Sequence, residues 1–131
     1  MPLDMYAEQI LEHYKNPRNK HALPGAQIRF RESNPLCGDV IEVFLKVDGG
    51  EVIVEASFDG QGCAISQASA SILTEDLKGK TLSDVEAVTK ERLLELLGIP
   101  VSPTRMKCAL LALTAFKAGI AAFRGKSGVR K

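Results

Sequence analysis

The sequence lacks an excess of charge of either sign, a long apolar run and a close pair of cysteines. Its 131 residues carry a formal net charge of +1, so no overall field draws the protein to nucleic acid or to an anionic membrane. No apolar run approaches the roughly 18 residues of a membrane span, and the acidic, amphipathic start of the chain lacks the order of a signal peptide. We therefore expect a cytoplasmic protein that binds neither membrane nor nucleic acid.

The patterns of several common enzyme classes are missing as well. There is no C-x-x-C redox pair, and residues 59–63, D-G-Q-G-C, lack the lysine and the spacing of a phosphate-binding loop. The two histidines, His13 and His21, both lie in the N-terminal segment. We interpret His13 as a surface residue on the polar side of the first helix rather than as the base of a Cys–His pair.

What is present is the composition of an ordinary globular protein. Hydrophobic residues make up 45% of the chain and charged residues 25%, which argues against disorder. A chain of this length can bury a sizeable core without disulfides or structural metals. The sequence contains no repeat and no linker long enough to divide the chain into two domains. We expect residues 1–131 to form a single domain.

The hydrophobic pattern predicts an α+β fold, a small antiparallel sheet covered by helices. Alternating residues predict a strand over residues 40–47, followed by a hairpin turn at residues 48–50 and a return strand over residues 51–58. A further short strand is expected over residues 26–30. One face of the return strand is expected to carry Val52, Val54, Ala56 and Phe58.

Helices are predicted on both sides of this hairpin. The N-terminal segment, residues 1–16, is expected to be helical from Asp4 until Asn16-Pro17 stops it. Apolar residues at helical spacing predict a second helix that begins at Cys63 and stops at Gly79.

The C-terminal half is predicted to be helical too. Ser83 with Glu86 indicates a capping box for a short helix, and residues 91–97 continue helically. Ser102-Pro103 is typical of a helix start, and the last helix is expected to bury Met106, Ala109, Leu113, Phe116, Ile120 and Phe123. The basic tail, residues 125–131, is expected to fray.

Each of the three cysteines falls at the boundary of a predicted element. Cys37 precedes a strand, Cys63 begins a helix, and Cys108 lies in the early turns of the last helix. Three thiols cannot all pair within the chain, and the cytosol keeps thiols reduced. A lone cysteine is most often a small buried hydrophobe, but three at boundaries, with Asp39 two residues after Cys37, favour a set of ligands.

Three thiolates and one carboxylate are four donors, enough for a tetrahedral Zn²⁺, and they could equally hold a [2Fe–2S] cluster. If extended backbone already begins at residue 37, Cys37 and Asp39 point to the same side, and Gly38 leaves room for close approach. Carboxylate is a hard, exchangeable donor beside soft thiolates. The set therefore suits a site that releases what it holds.

Five stretches of the chain resemble the IscU/SufU/NifU-N-terminal family of iron–sulfur cluster assembly scaffolds. They are H-Y-K-N-P-R-N (13–19), N-P-L-C-G-D (34–39), G-Q-G-C-A-I-S-Q-A-S-A-S (60–71), L-K-G-K-T-L (77–82) and R-M-K-C-A-L-L-A (105–112). They occur in the family's order and span nearly the whole chain. The resemblance implies a three-stranded antiparallel sheet packed against about five helices.

The resemblance also implies the roles of the site residues. Cys37, Asp39, Cys63 and Cys108 would bind a transient [2Fe–2S] cluster, with Zn²⁺ as an alternative or resting occupant. Cys108 would accept sulfur from a cysteine desulfurase, with Cys37 and Cys63 as secondary acceptors, and the N-terminal helix would face that desulfurase. The cluster would pass to apo-proteins, which makes the protein a scaffold or carrier rather than a conventional enzyme.

Departures from the family pattern leave alternatives open. IscU members carry a histidine directly before the third cysteine, whereas this chain has Lys107 there, as SufU-like members have a lysine. The chain nevertheless lacks the insertion that SufU-like members have before the third cysteine. The readings that remain are a cluster scaffold, a zinc-dependent sulfurtransferase and, least favoured because Asp39 is exchangeable, a structural zinc domain. The fourth ligand in each state is open among Asp39, water and Lys107.

The segment before the last helix departs from the family as well. Residues 98–103, G-I-P-V-S-P, stand where IscU members carry L-P-P-V-K. That segment is the one a specialised Hsp70 chaperone recognises in IscU members. The resemblance therefore gives no support for a chaperone contact.

Overall fold

A computed structural model of the chain describes residues 10–34, 38–98 and 101–125. Three strands form one antiparallel sheet in the order β1-β2-β3, with β1 at Ile28–Asn34, β2 at Asp39–Val47 and β3 at Ile53–Gln61. The described helices are α1 (residues 10–15), α2 (Ala64–Leu77), α3 (Leu82–Glu86), α4 (Lys90–Leu97) and α5 (Pro103–Gly125). The predicted α+β fold, a three-stranded antiparallel sheet with five helices, is confirmed.

The ends of the chain are only partly described. The predicted N-terminal helix is described from Ile10 onward, and it ends at residue 15, just before the predicted stop. Ile10 is buried, whereas Leu11 and Tyr14 are each 45% exposed. The tail that was predicted to fray lies outside the described residues from residue 126 onward.

The hairpin strands run further toward the candidate cysteine sites than the sequence predicted. β1 continues to Asn34, which pairs with Asp39, and β3 continues through Gln61, which lies opposite Val40. Residues 59–61 therefore belong to a strand, and the predicted glycine-rich turn begins only at Gly62. The sheet therefore extends as far as Asp39, and β3 ends two residues before Cys63.

The predicted buried face of β3 was wrong at Val54, which is 52% exposed. The pairing of β2 with β3 shifts register between Lys46 and Val47. This irregularity changes the phase of the side-chain alternation at the start of β3. Ile53 is buried in place of Val54, while Ala56 and Phe58 of the predicted face are buried.

Helices α2 and α5 cover one face of the sheet. The two helices approach closely, since the Ser69 hydroxyl donates a hydrogen bond of 2.6 Å to the Ala109 carbonyl oxygen. The predicted stripe of α5 faces the core, because Ala109, Leu113, Phe116 and Ile120 are buried and Met106 and Phe123 are partly buried. The hydrophobic effect of this stripe fixes α5 across the sheet.

The segment between α1 and β1 crosses the opposite face of the sheet. Lys20 forms a parallel bridge with Phe58 of β3, whereas β1 begins at Ile28 on the other edge. The chain must therefore pass over the face that the helices leave open. Leu23 and Phe44 are buried there, apart from the main core cluster, and the Arg29 guanidinium lies 5.6 Å from the centroid of the Phe44 ring.

The predicted capping box was wrong by two residues. The N-cap of α3 is Thr81, whose hydroxyl accepts a hydrogen bond from the Asp84 N–H, and the Asp84 carboxylate accepts one from the Thr81 N–H. Threonine and aspartate form this reciprocal pair as serine and glutamate do. The predicted end of α4 at Gly98 and start of α5 at Pro103 are both present.

α5 is long and apolar enough to cross a membrane by length and composition. Its window Arg105–Arg124 has a mean hydropathy of 1.5, and 50% of that window is buried inside the fold. This finding differs from the expectation that no segment approaches a membrane span. A buried helix in the core of a globular fold can have the same length and hydropathy. The packing of α5 on the sheet therefore accounts for its apolar composition.

His13 holds α1 against α2. Its Nδ1 lies 2.7 Å from the Ser71 hydroxyl oxygen, which also accepts a hydrogen bond of 2.8 Å from the Arg18 N–H. The interpretation of His13 as a surface residue was therefore only half right, since its ring is half-buried. In the part of the chain that the structure describes, its ring bonds to a serine rather than to a cysteine.

His13→Asn should remove a pH-dependent part of the stability. Partial burial, followed by the charge of Arg18, lowers the pKa of His13 below 6.5. The folded protein thus binds this proton less readily than the unfolded chain, so the contribution is fully present above pH 6.5 and is lost as pH falls through the lower folded pKa. Urea unfolding at about pH 7.5 and about pH 5.5 measures the difference, which should shrink in the variant.

His21→Asn is the matched control for this measurement. His21 is exposed and its Nδ1 lies 2.9 Å from the Ala22 carbonyl oxygen, so it holds no second element. The control should keep the pH difference of the unmodified protein. An equal pH difference in His13→Asn would show that the His13 contact does not carry it.

Candidate metal centre

Asp39 is the first residue of β2, and it is only 1% exposed. A buried carboxylate at the end of a sheet requires partners. The preceding Gly38 has a φ of +74°, and a Cβ there would meet nothing within 4 Å. That Gly38 leaves room for close approach stays a prediction, and the left-handed turn into β2 is a second reason for the glycine.

Cys37 lies outside the described residues. The prediction that Cys37 and Asp39 point to the same side therefore lies outside the described residues too; of the extended backbone on which it depended, Gly38 is described and has a φ of +74°. As a fourth donor, Cys37 stays a prediction from the sequence.

Cys63 is the N-cap residue of α2, as the sequence predicted, but its own side chain makes no capping hydrogen bond. Asp39 satisfies the amide of this N-cap residue, since its Oδ1 accepts from the Cys63 N–H at 3.0 Å. A helix N-terminus favours a negative charge at this place. The Cys63 Sγ is left facing the second carboxylate oxygen, Asp39 Oδ2, at 3.7 Å.

Cys108 reaches the same place from α5. It is fully buried, and the next residue, Ala109, accepts the hydrogen bond from Ser69 of α2. Sγ of Cys63, Sγ of Cys108 and a carboxylate oxygen of Asp39 all lie within 4.8 Å of one another. Three residues far apart in the sequence thus form one cluster where β2, α2 and α5 meet.

The donors present fit a thiophilic metal ion. A sulfur and an oxygen ligand on one tetrahedral zinc lie about 3.5 Å apart, given Zn–S bonds of about 2.3 Å and Zn–O bonds of about 2.0–2.2 Å. The distance of 3.7 Å from Cys63 Sγ to Asp39 Oδ2 is close to that length, and the whole group needs only a small contraction from 4.8 Å. Mixed sulfur and oxygen donors fit zinc or the iron of a cluster. Lys107, which the sequence left open as a fourth ligand, is exposed on α5.

The two described thiols differ in access. Cys63 is partly exposed, whereas Cys108 is buried. A cavity of about 320 Å³ opens between the end of β1 and α5, with Asn34, Lys107 and Leu111 in its wall. Cys108 directly follows Lys107 in the helix but does not line this cavity.

Sequence reasoning missed Ser66 and Gly62 at this site. The Ser66 hydroxyl donates to the Cys63 carbonyl oxygen at 3.0 Å, and Gly62 lies directly before the ligand cysteine. The only signal in the sequence was G-Q-G-C itself, which shows a glycine beside a cysteine and gives no indication of what occupies the space above it.

The NifU-like N terminal domain family matches residues 5–130 of the chain. The protein belongs to this family of IscU-, SufU- and NifU-like iron–sulfur cluster scaffolds, and the resemblance drawn from the five stretches is confirmed.

Its relatives within the family are of two kinds. The iron-sulfur cluster assembly scaffold protein IscU of Haemophilus influenzae is 37% identical over 131 aligned positions, which cover 94% of this chain and 98% of the relative. The zinc-dependent sulfurtransferase SufU of Bacillus subtilis is 36% identical over 138 positions, with 92% of each covered. The fold is shared with the crystal structure of a NifU-like protein (N-terminal) from Brucella abortus, at a TM-score of 0.77 and 23% identity over 96% of this chain and 99% of the other.

Proposed function

We propose that this protein is a scaffold on which iron–sulfur clusters are assembled, with residues 1–131 as one scaffold domain. The observation that carries the proposal is the cluster of Asp39, Cys63 and Cys108, whose donor atoms lie within 4.8 Å of one another. Cys37, in the connection between β1 and β2, would be the fourth donor. Iron and sulfide are the substrates of this site, and the finished [2Fe–2S] cluster is its product.

Sulfur would come from a cysteine desulfurase to Cys108. The Cys108 thiolate attacks the terminal sulfur of a persulfide on the desulfurase, the S–S bond breaks, and the desulfurase cysteine leaves as a thiolate. This exchange needs no outside oxidant or reductant. Because Cys108 is buried, α5 must shift to admit the persulfide, and Cys63 and Cys37 would be secondary acceptors.

The donor set also suits release of the product. Asp39 is a hard ligand among soft ones, so an incoming thiolate of an apo-protein displaces it more readily than it displaces a cysteine. Free thiols need a reducing compartment, so the proposal places the protein in the cytosol, with a cysteine desulfurase and apo iron–sulfur proteins as partners.

A zinc-dependent sulfurtransferase is the second candidate. It is supported by the 36% identity to a relative of that name and by Lys107 directly before Cys108, where the resemblance gives SufU-like members a lysine and IscU members a histidine. When bound, zinc would be held by the Asp39 carboxylate and by the Cys63 and Cys108 sulfurs, and its charge would keep both thiols deprotonated. The alignment to that relative spans 138 positions but covers only 92% of this chain, so it contains gaps in this chain. Such gaps agree with the absence of the insertion that SufU-like members carry before the third cysteine.

Anaerobic reconstitution separates the two candidates. Zinc-free and zinc-bound protein are each incubated with iron, L-cysteine and a desulfurase, and visible absorption and transfer to an apo-ferredoxin are followed. We expect the zinc-free protein to acquire a cluster spectrum and to activate the ferredoxin. Faster turnover of the desulfurase with zinc retained, and with no cluster formed, would support the sulfurtransferase instead. If neither result is obtained, the third hypothesis, a structural zinc domain, remains.

A further inference from the structure

Gly62 has no room for a side chain, because Asp39 occupies the place where one would begin. A Cβ on Gly62 would lie 2.7 Å from Asp39 Oδ1, 2.8 Å from Asp39 Cγ and 2.6 Å from Ser66 Oγ. All three distances are far inside ordinary van der Waals contact. The φ of Gly62 is outside the left-handed region, so the backbone itself would accept any residue. Space, rather than conformation, requires the glycine.

Neither neighbour is free to turn away. Asp39 is 1% exposed and Ser66 is fully buried. Asp39 Oδ1 accepts from the Cys63 N–H at 3.0 Å, and Ser66 donates to the Cys63 carbonyl oxygen at 3.0 Å. A methyl group on residue 62 would therefore push the carboxylate off the helix N-terminus or displace the serine from the same cysteine.

The two oxygens of Asp39 have separate surroundings. Oδ1 is occupied by the backbone amide of α2, and Oδ2 lies 3.7 Å from the Cys63 sulfur. An oxygen engaged by an N–H is a weaker metal ligand than its free neighbour, so Oδ2 is the oxygen that would ligate. Hydrogen bonds behind a ligand fix its orientation in this way.

We propose that Gly62 is the positioning residue of this metal centre. By leaving its Cβ site to the carboxylate, Gly62 keeps Asp39 Oδ1 on the Cys63 amide and turns Oδ2 toward the thiols as a single ligand oxygen. The inference rests on the proposed function in one respect, that Asp39 is a ligand of the bound metal.

A double-mutant cycle with Zn²⁺ alone tests the inference. Zinc affinity is measured by chelator competition on the full chain, for the unmodified protein, Gly62→Ala, Asp39→Ala and the double variant. Gly62→Ala should weaken zinc binding by about tenfold or more, the usual effect of removing support behind a ligand. In the Asp39→Ala background the same change should cost less than about twofold, because the ligand through which Gly62 acts is gone.

The absorption spectrum of bound Co²⁺ is a second measurement. It depends on the ligands of the metal, so a purely structural role of Gly62 would leave it unchanged. Gly62→Ala should shift the ligand-field bands toward those of Asp39→Ala and retain the thiolate-to-cobalt charge-transfer bands, since only the oxygen donor is displaced. Gly49→Ala is the matched control. It makes the same chemical change in the hairpin turn, where a Cβ would meet nothing within 4 Å, and it should alter neither measurement.

An equal loss of zinc affinity in both backgrounds, or an unchanged cobalt spectrum in Gly62→Ala, would overturn the inference. If Gly62→Ala does not fold, Asp39→Ala alone leaves the Ser66 hydroxyl 2.6 Å from the new Cβ, so Ser66→Ala is added to both backgrounds. The chain with Gly62→Ala, Asp39→Ala and Ser66→Ala should then fold, because both obstructing groups are absent; an unfolded chain would also overturn the inference. Failure of the unmodified protein to bind Zn²⁺ or Co²⁺ is a different result. It would overturn the proposed function, and the inference with it.

Discussion

Cys108→Ser should abolish the acceptance of sulfur from a cysteine desulfurase. A serine hydroxyl stays protonated at neutral pH and forms no persulfide, whereas a thiolate does. The two side chains are similar in size, so the buried position in α5 should remain filled. Mass spectrometry of the protein after anaerobic incubation with a desulfurase and L-cysteine measures the persulfide, and circular dichroism confirms that the variant is folded.

Cys63→Ser is the matched control for Cys108→Ser. It removes the partly exposed thiol and keeps the buried one, so persulfide should still form on Cys108. The difference in exposure makes the comparison sharp, because access alone would favour Cys63. If Cys108→Ser accumulates persulfide at normal stoichiometry and Cys63→Ser does not, then Cys63 is the acceptor and the assignment of Cys108 is wrong.

Asp39→Asn and Asp39→Ala should weaken zinc binding alike but differ in the stability of the metal-free protein. Asparagine keeps an oxygen for the Cys63 N–H, which Asp39 Oδ1 accepts at 3.0 Å, and replaces the other oxygen with an amide nitrogen that does not ligate. Alanine loses both functions. We expect zinc affinity to fall about 10- to 100-fold in each variant, while only Asp39→Ala loses the helix cap, at a cost of about 1 kcal/mol.

Urea unfolding of the metal-free variants separates the capping role from the ligand role. The free energy of unfolding of Asp39→Asn should stay within about 0.5 kcal/mol of the unmodified protein. If both variants are equally stable, the hydrogen bond to α2 contributes nothing measurable. If Asp39→Asn binds zinc as tightly as the unmodified protein, the carboxylate is not a ligand.

The elements with strong periodicity could be predicted from the sequence. The stripe of α5, the start of α2 at Cys63 and the end of α4 at Gly98 each depend on local patterns, and the structure has them where they were expected. The cap of α3 was placed at Ser83 instead of Thr81. Both residues have a hydroxyl with an acid three positions later, and the local pattern alone does not choose between them.

What escaped prediction depends on contacts between distant residues. Val54 faces outward because the pairing with β2 slips by one position, which no property of β3 itself reveals. Asp39 was predicted as a ligand, but nothing near it in the sequence shows that it is buried against the N-terminus of α2. Gly62 resembles any loop glycine until that carboxylate is placed. In each case the deciding partner lies in another part of the chain.

The meeting of Asp39, Cys63 and Cys108 joins the first hairpin to the last helix. Bringing such distant residues together costs chain entropy, which the folded core has already offset. A bound ion would then act as a cross-link between β2, α2 and α5, and its binding free energy would add to that of folding. Drawing α5 away from α2 would separate Cys108 from Asp39 and Cys63 and break this cross-link. Loading the site would therefore stabilise the packing of α5 against α2 by the free energy of binding.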